Sequence, residues 1–199
     1  MVFMDPLAQN LFLVGILFVA VAYYLTKVYL MRKNRDKEAN NTSFGYFLII
    51  LGVLLGVYGL FYSLLWPTPM TGSYDILFGD SMVVLAFLAV LGGYNLLKSG
   101  ELLSPYIGLA AFFGGIYNII AGVSAYLLGM TDAPLMMLGL YLASGLAGVF
   151  LLPLVYTKNK SLVALIVILL IIAAIVSFVI GGMAVPEHLA SFAHATGSS

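Results

Sequence analysis

Apolar residues fill this chain in six blocks of about twenty, separated by short polar stretches, and within a block they do not alternate with polar ones. A block such as "LVALIVILLIIAAIVSFVIGG" has the length of a helix crossing a hydrocarbon layer of about 30 Å. Lipid offers backbone N–H and C=O groups no partner, so only helices or closed barrels can span it. A barrel would need alternation over segments of about ten residues, which these blocks lack. The pattern predicts an all-α, polytopic membrane protein with six transmembrane helices. Its spans are about 6–30, 44–66, 76–98, 105–129, 133–156 and 161–183, within a single domain of residues 1–183. Asp5 before Pro6, Ser43, Ser104 before Pro105, Asp132 with Pro134, and Ser161 stand where helix N-termini need a capping side chain. Residues 184–199, containing "PEHLASFAHATGSS", are predicted to form a polar, mobile tail.

Composition strengthens the membrane assignment. Of the 199 residues, 63% are hydrophobic and 8% charged, whereas soluble domains carry about 25% charged residues. Cysteine is absent, which removes disulfides, thiolate metal sites, iron–sulfur clusters and a cysteine nucleophile together. No basic surface exists beyond one short loop, so nucleic-acid binding has no support.

The formal net charge of +0 hides a segregation that appears once the spans are placed. Lys27, Arg32, Lys33, Arg35 and Lys37 fall at the first connection, Lys98 at the third, and Lys158 and Lys160 at the fifth. Every Lys and Arg therefore lies on one side, with Asp5, Asp75, Asp80, Asp132 and Glu187 on the other. The positive-inside rule makes the basic side cytoplasmic and puts both termini outside, in a multi-pass cell-membrane protein. Trp66, Tyr46, Tyr94, Tyr106, Tyr126 and Tyr156 lie near span ends, where amphipathic rings anchor at the interface.

Glycines then suggest how the helices pack. Gly45, Gly52 and Gly59 recur every seven residues in the second span, and Gly108, Gly115, Gly122 and Gly129 in and after the fourth. The third span carries Gly79, Ala86, Gly93 and Gly100 at the same spacing. A seven-residue repeat keeps one stripe facing a neighbour, and small residues let backbones approach closely where lipid supplies no hydrophobic drive. The expected result is a compact left-handed bundle. Spans two–three and four–five also resemble each other as hairpins. "GVYGL" at 56–60 resembles "GIYNI" at 115–119, an offset of 59, and Gly79/Gly139 and Lys98/Lys158 are 60 apart, whereas Gly45/Gly108, Gly52/Gly115 and Gly59/Gly122 suggest 63. Two such registers cannot both be ancestral, and glycine matches are cheap in membrane helices.

Candidate chemistry is sparse. No Asp, Glu, Lys, Arg or His lies mid-span, which disfavours a proton-driven pump. Asn118 is the polar residue nearest the middle of the glycine-rich fourth span, with Tyr58, Tyr117 and Tyr141 at comparable depth and Ser124 and Ser144 nearby. Each can serve either as an interhelical hydrogen-bond donor or as the lining of a pathway. Asp80 is the deepest charge: it caps the third helix if that helix starts late, and sits about a turn inside if Asp75 is the cap. With Asp75 and Asp132 it outlines an outer acidic site. His188 and His194 both fall in the tail, so no spanning helix offers haem ligands, and neither stands in a metal-binding motif; no cofactor and no metal is expected.

"GSYDILFGD" at 72–80, followed by "LGGYNLL" at 91–97, resembles small multi-pass membrane proteins found largely in archaea, a family defined only as domain of unknown function 981. The resemblance implies a fold spanning most of the chain and carries over no catalytic residue. Three functions stay open. A small transporter or channel stands first and predicts a wet cavity lined by Asn118 and the mid-span tyrosines. An accessory or structural subunit of a larger membrane complex predicts a dry interior. A membrane enzyme or lipid-binding protein predicts an outer cleft around Asp75, Asp80 and Asp132, and the residues favour a non-enzymatic role over it. The expected partners are the lipid bilayer and either further copies of the chain or other subunits.

Overall fold

The computed structural model describes residues 7–31, 37–65 and 75–196. Helix α1 spans Leu7–Leu25 and is prolonged by a π-helical turn, Thr26–Leu30. Helix α2 spans Lys37–Leu65; a second π-helical turn, Asp75–Asp80, leads into α3, Ser81–Ser99. Helices α4, α5 and α6 follow as Pro105–Leu127, Pro134–Thr157 and Lys160–Thr196. All six are long and apolar enough to cross a membrane, and no strand occurs among the described residues.

Local chemistry explains most boundaries and corrects several. Ser104 caps α4 as expected: its Oγ accepts from Ile107 N at 3.4 Å, and Pro105 opens the helix, where a missing N–H costs nothing. Ser43 is no cap, because α2 starts at Lys37 and runs through polar residues before reaching its apolar stretch. Asp132 is no cap either; Ala133 holds that position without a side-chain bond, and Asp132 is exposed. At the start of α6 Asn159 replaces Ser161, its Oδ1 accepting from Ser161 N at 2.8 Å. Residues 184–196, expected to be mobile, are helical. The helix continues through Pro186 to Thr196, since one proline forfeits a single interior bond and the flanking Ala and Leu residues favour helix. Asp5, Trp66 and the side chains of Asp75, Glu187, His188 and His194 lie outside the described residues.

Three antiparallel pairs build the bundle: α2 lies along α3, α4 along α5 and α1 along α6. Helices α5 and α6 join two of these pairs over much of their length, whereas α3 with α4 and α1 with α2 meet more briefly. Within pairs the backbones nearly touch. A Cβ on Gly93 would lie 2.6 Å from the Gly45 carbonyl oxygen, and one on Gly52 would lie 3.0 Å from the Ala86 carbonyl oxygen. In the second hairpin a Cβ on Gly115 would lie 2.8 Å from Val149 N and against the Gly145 carbonyl, and one on Gly108 would meet Leu152 and Val155. Gly122 lies against Tyr141 and Gly59 against Val83, completing both seams. Gly181 of α6 approaches the Ala8 carbonyl of α1 in the same way.

In these contacts Gly45 meets Gly93 and Gly52 meets Ala86, while Gly108 and Gly115, 63 residues on, meet Leu152 and Gly145. The match of "GVYGL" in α2 with "GIYNI" in α4, 59 apart, does not fit that register. Three glycines leave the expected pattern, the first being Gly100, which ends α3 as a C-cap with φ +71° and packs against no helix backbone. Gly129 lies beyond α4 in the turn, with φ +61° and no atom near its Cβ position, so it serves backbone reversal and not helix packing. Gly139, the counterpart of Gly79, also meets nothing, while Gly79 lies against the Ser63 backbone.

Large side chains such as Ile50, Leu64, Phe113 and Ile168 point outward, and Tyr46, Tyr94, Tyr106, Tyr126 and Tyr156 are exposed near helix ends, positions that suit lipid and its interface. Lys27 sits over the Tyr23 ring and Lys98 over Tyr94 at the basic end. Because the neighbour at Gly115 is backbone, Gly115→Ala is expected to destabilise the fold by about 1–3 kcal/mol. Gly139→Ala, with open space around it, is expected to be neutral or to gain up to about 1 kcal/mol from helix propensity; thermal unfolding in detergent compares the two.

Candidate functional site: a polar cavity inside the bundle

The π-helical turn ahead of α3 organises the acidic end. A π turn re-aims carbonyls out of the regular ladder, and a carbonyl oxygen can accept a second bond. Tyr117 on α4 donates to Ile76 O at 3.1 Å, and Tyr141 on α5 donates to Leu77 O. The two tyrosines thereby tie the second hairpin to the first, where α3 and α4 otherwise meet only briefly.

Asp80 closes this turn. It has helical φ and ψ and makes no capping bond, so the position about a turn inside the helix is the one observed. Its Oδ1 accepts from Ser63 Oγ at 2.7 Å, and its Oδ2 lies 3.2 Å from the Tyr117 hydroxyl. Gly79 makes the approach possible, since a Cβ there would lie 2.6 Å from Ser63 N. The carboxylate thus accepts from the Ser63 hydroxyl of α2, and the Tyr117 hydroxyl of α4 has one proton to share between Ile76 O and Asp80 Oδ2. Asp132 is exposed, and among the described residues no three Asp, Glu or His side chains converge on one point.

Deeper in the bundle lies a cavity of about 50 Å³, walled by α1, the π turn, α3, α4 and α5. Its polar lining is Asn10, Ser81, Asn118, Tyr141 and Ser144. Asn10 is completely buried, and neither its Oδ1 nor its Nδ2 has a hydrogen-bond partner within the protein. The Asn118 Oδ1 is likewise buried and unpartnered. Ser144 donates to Leu140 O at 2.8 Å and Tyr141 to Leu77, so both present lone pairs to the cavity. Leaving a buried polar group unpaired costs about 1–3 kcal/mol, and Asn10, Ser81 and Asn118, all in the lining of this cavity, each have such an atom. A single water needs roughly 10–15 Å³ and two to four polar partners, and the cavity meets both conditions.

Two further cavities follow toward the basic end. One of about 130 Å³ is almost wholly apolar and shares Phe18, Leu85 and Ser144 with the polar cavity. The next, about 180 Å³, shares Leu103 with it and is lined by Tyr29, Glu101, Tyr156 and Lys158.

Of the residues singled out from sequence, the structure brings Asn118 and Tyr141 into the polar cavity, and Tyr117 and Asp80 together beside it. Tyr58 is half-buried and does not line the cavity. Asn10, the residue with most unmet bonding capacity, was missed because sequence places it near the start of its span, where water is expected. The available signal was "QN" inside an otherwise apolar run. Ser63 and Asn41 were missed too. Asn41 accepts from Tyr24 OH at 2.9 Å and donates to Gly100 O at 2.8 Å, linking α1, α2 and the end of α3.

Replacing Asp80 by Ala removes the acceptor of Ser63 and leaves Tyr117 only Ile76 O, and the expected loss is about 1–3 kcal/mol. Tyr117→Phe, which leaves the Ser63–Asp80 bond in place, is expected to lose less, and denaturant titration in detergent ranks them.

Comparison with known families agrees with the resemblance carried by "GSYDILFGD". A family model described as "Protein of unknown function (DUF981)" matches residues 1–191. No curated protein and no solved structure matches the chain. With nearly the whole length matched, the chain belongs to the DUF981 family, a family of unknown function.

Proposed function

We propose that the protein is a small membrane transporter or channel whose pathway runs through the polar cavity. The observation that carries this reading is the fully buried, unpartnered amide of Asn10 and the buried, unpartnered Oδ1 of Asn118, two residues that line one cavity inside a bundle of apolar helices. An accessory subunit needs only a packed interior, and in such an interior a Leu at either position would serve better than an orphaned amide. An enzyme or lipid-binding site at the acidic end finds less support, because Asp80 is engaged by Ser63 and Tyr117. The succession of cavities from Asn10 to Lys158 supports a route along the bundle. Its apolar middle favours a gated passage over an open pore, since polar solutes cross such a stretch only when it rearranges. With Lys27, Lys98, Lys158 and Lys160 at one end, the positive-inside rule places that end in the cytoplasm.

The test is flux through liposomes containing the purified chain, with water, formamide, glycerol, Na⁺ and K⁺ as probes. At least one probe is expected to cross faster than through empty liposomes. Combining Asn10→Leu with Asn118→Leu is expected to cut that flux about tenfold or more, the scale of about 1.4 kcal/mol in a barrier. No flux of any probe above the empty-liposome rate overturns the reading.

A further inference from the structure

We propose that the polar cavity binds a small uncharged solute that donates and accepts hydrogen bonds at once, of the primary-amide class. The proposal rests on the transport reading for its biological sense, but its chemistry follows from the cavity wall. Both atoms of the Asn10 amide are unpartnered, so the site presents an unmet donor and an unmet acceptor whichever way the amide is turned. Asn118 Oδ1 adds a second unmet acceptor. Ser81 Oγ, also buried and unpartnered, can donate or accept, whereas the Ser144 and Tyr141 hydroxyls already donate elsewhere and can only accept. A ligand carbonyl would take the Asn10 N–H, and a ligand NH₂ would donate to Asn118 and Ser144.

Charged ligands fit worse on two counts. No Asp, Glu, Lys, Arg or His lines the cavity, so an ion would enter low-dielectric surroundings without a counter-charge. A bare cation would also leave the Asn10 N–H groups unpaired, and an anion would face the oxygen lone pairs of Asn118, Ser144 and Tyr141. Asp80 does not line the cavity, and its Oδ1 accepts from Ser63. The rest of the wall is apolar, with Val14, Met82, Leu85 and Leu140 among it, and suits a methyl or methylene group beside the polar end. At about 50 Å³ the cavity accepts the bulk of roughly three or four waters, which limits the ligand to a few heavy atoms.

Acetamide and acetate have nearly the same shape and differ in charge, so they separate the two classes directly. The test is thermal unfolding of the full chain in detergent with acetamide, sodium acetate or NaCl at equal concentration. Acetamide at ten times its Kd is expected to raise Tm by about 3–6 °C, with no comparable rise from acetate or NaCl. Asn118→Leu and Asn10→Leu are expected to lose the acetamide shift. If Asn10→Leu does not fold, Asn118→Leu carries the comparison, since that residue is only half-buried. No shift with acetamide, or an equal shift with acetate or NaCl, overturns the proposal. Stabilisation by acetamide without liposome flux of any probe overturns the transport reading alone. Flux without acetamide stabilisation overturns the ligand class alone.

Discussion

Backbone-to-backbone approach at the glycine seams is the constraint on which the rest of this structure depends. In lipid, apolar side chains gain little by leaving the solvent for each other, so association rests on dense van der Waals contact. Gly45 against Gly93 and Gly115 against Gly145 bring paired helices closer than any side chain would permit. Having closed within the hairpins, the bundle cannot close equally everywhere. Between hairpins the contacts are fewer and the filling is done by Phe18, Leu85, Leu103 and similar residues. The cavities lie there.

Polar groups complete what packing leaves undone. The brief α3–α4 contact is supplemented by Tyr117 and Tyr141, which reach carbonyls of the π turn. Ser177 donates to Leu11 O at 2.7 Å and secures α6 to α1. Asn41 ties three elements at the basic end. Against this background of satisfied bonds, Asn10, Ser81 and Asn118 each carry a buried side-chain atom without a partner. All three line one cavity, Asn10 from α1, Ser81 from α3 and Asn118 from α4.

Much of the fold was legible in the sequence because membrane helices obey few rules. Block length predicted six spans, and the seven-residue glycine spacing marked the faces that meet in both hairpins. Caps were less legible. Ser43, Asp132 and Ser161 have the right chemistry, but a helix that extends into the polar margin, as α2 does to Lys37, moves its own start away from the apolar boundary. The site was half legible: Asn118 and Tyr141 were visible as mid-span polar residues, whereas Asn10 and Ser81 sit near helix starts in sequence. They join the cavity only because the ring of helices brings those starts together, a tertiary fact with no local signature.

Whether the interior admits water is the central question, and the absence of cysteine makes it directly measurable. A thiol reacts as its thiolate, which forms in water and not in lipid. Asn118→Cys, at the polar cavity, and Ile120→Cys, 61% exposed on the outer face of the same helix, can be compared in intact membranes with a small hydrophilic thiol reagent. The account predicts that Asn118→Cys is modified at least about tenfold faster than Ile120→Cys, consistent with a wet pathway. Equal resistance of both positions would contradict it and make the bundle a dry scaffold.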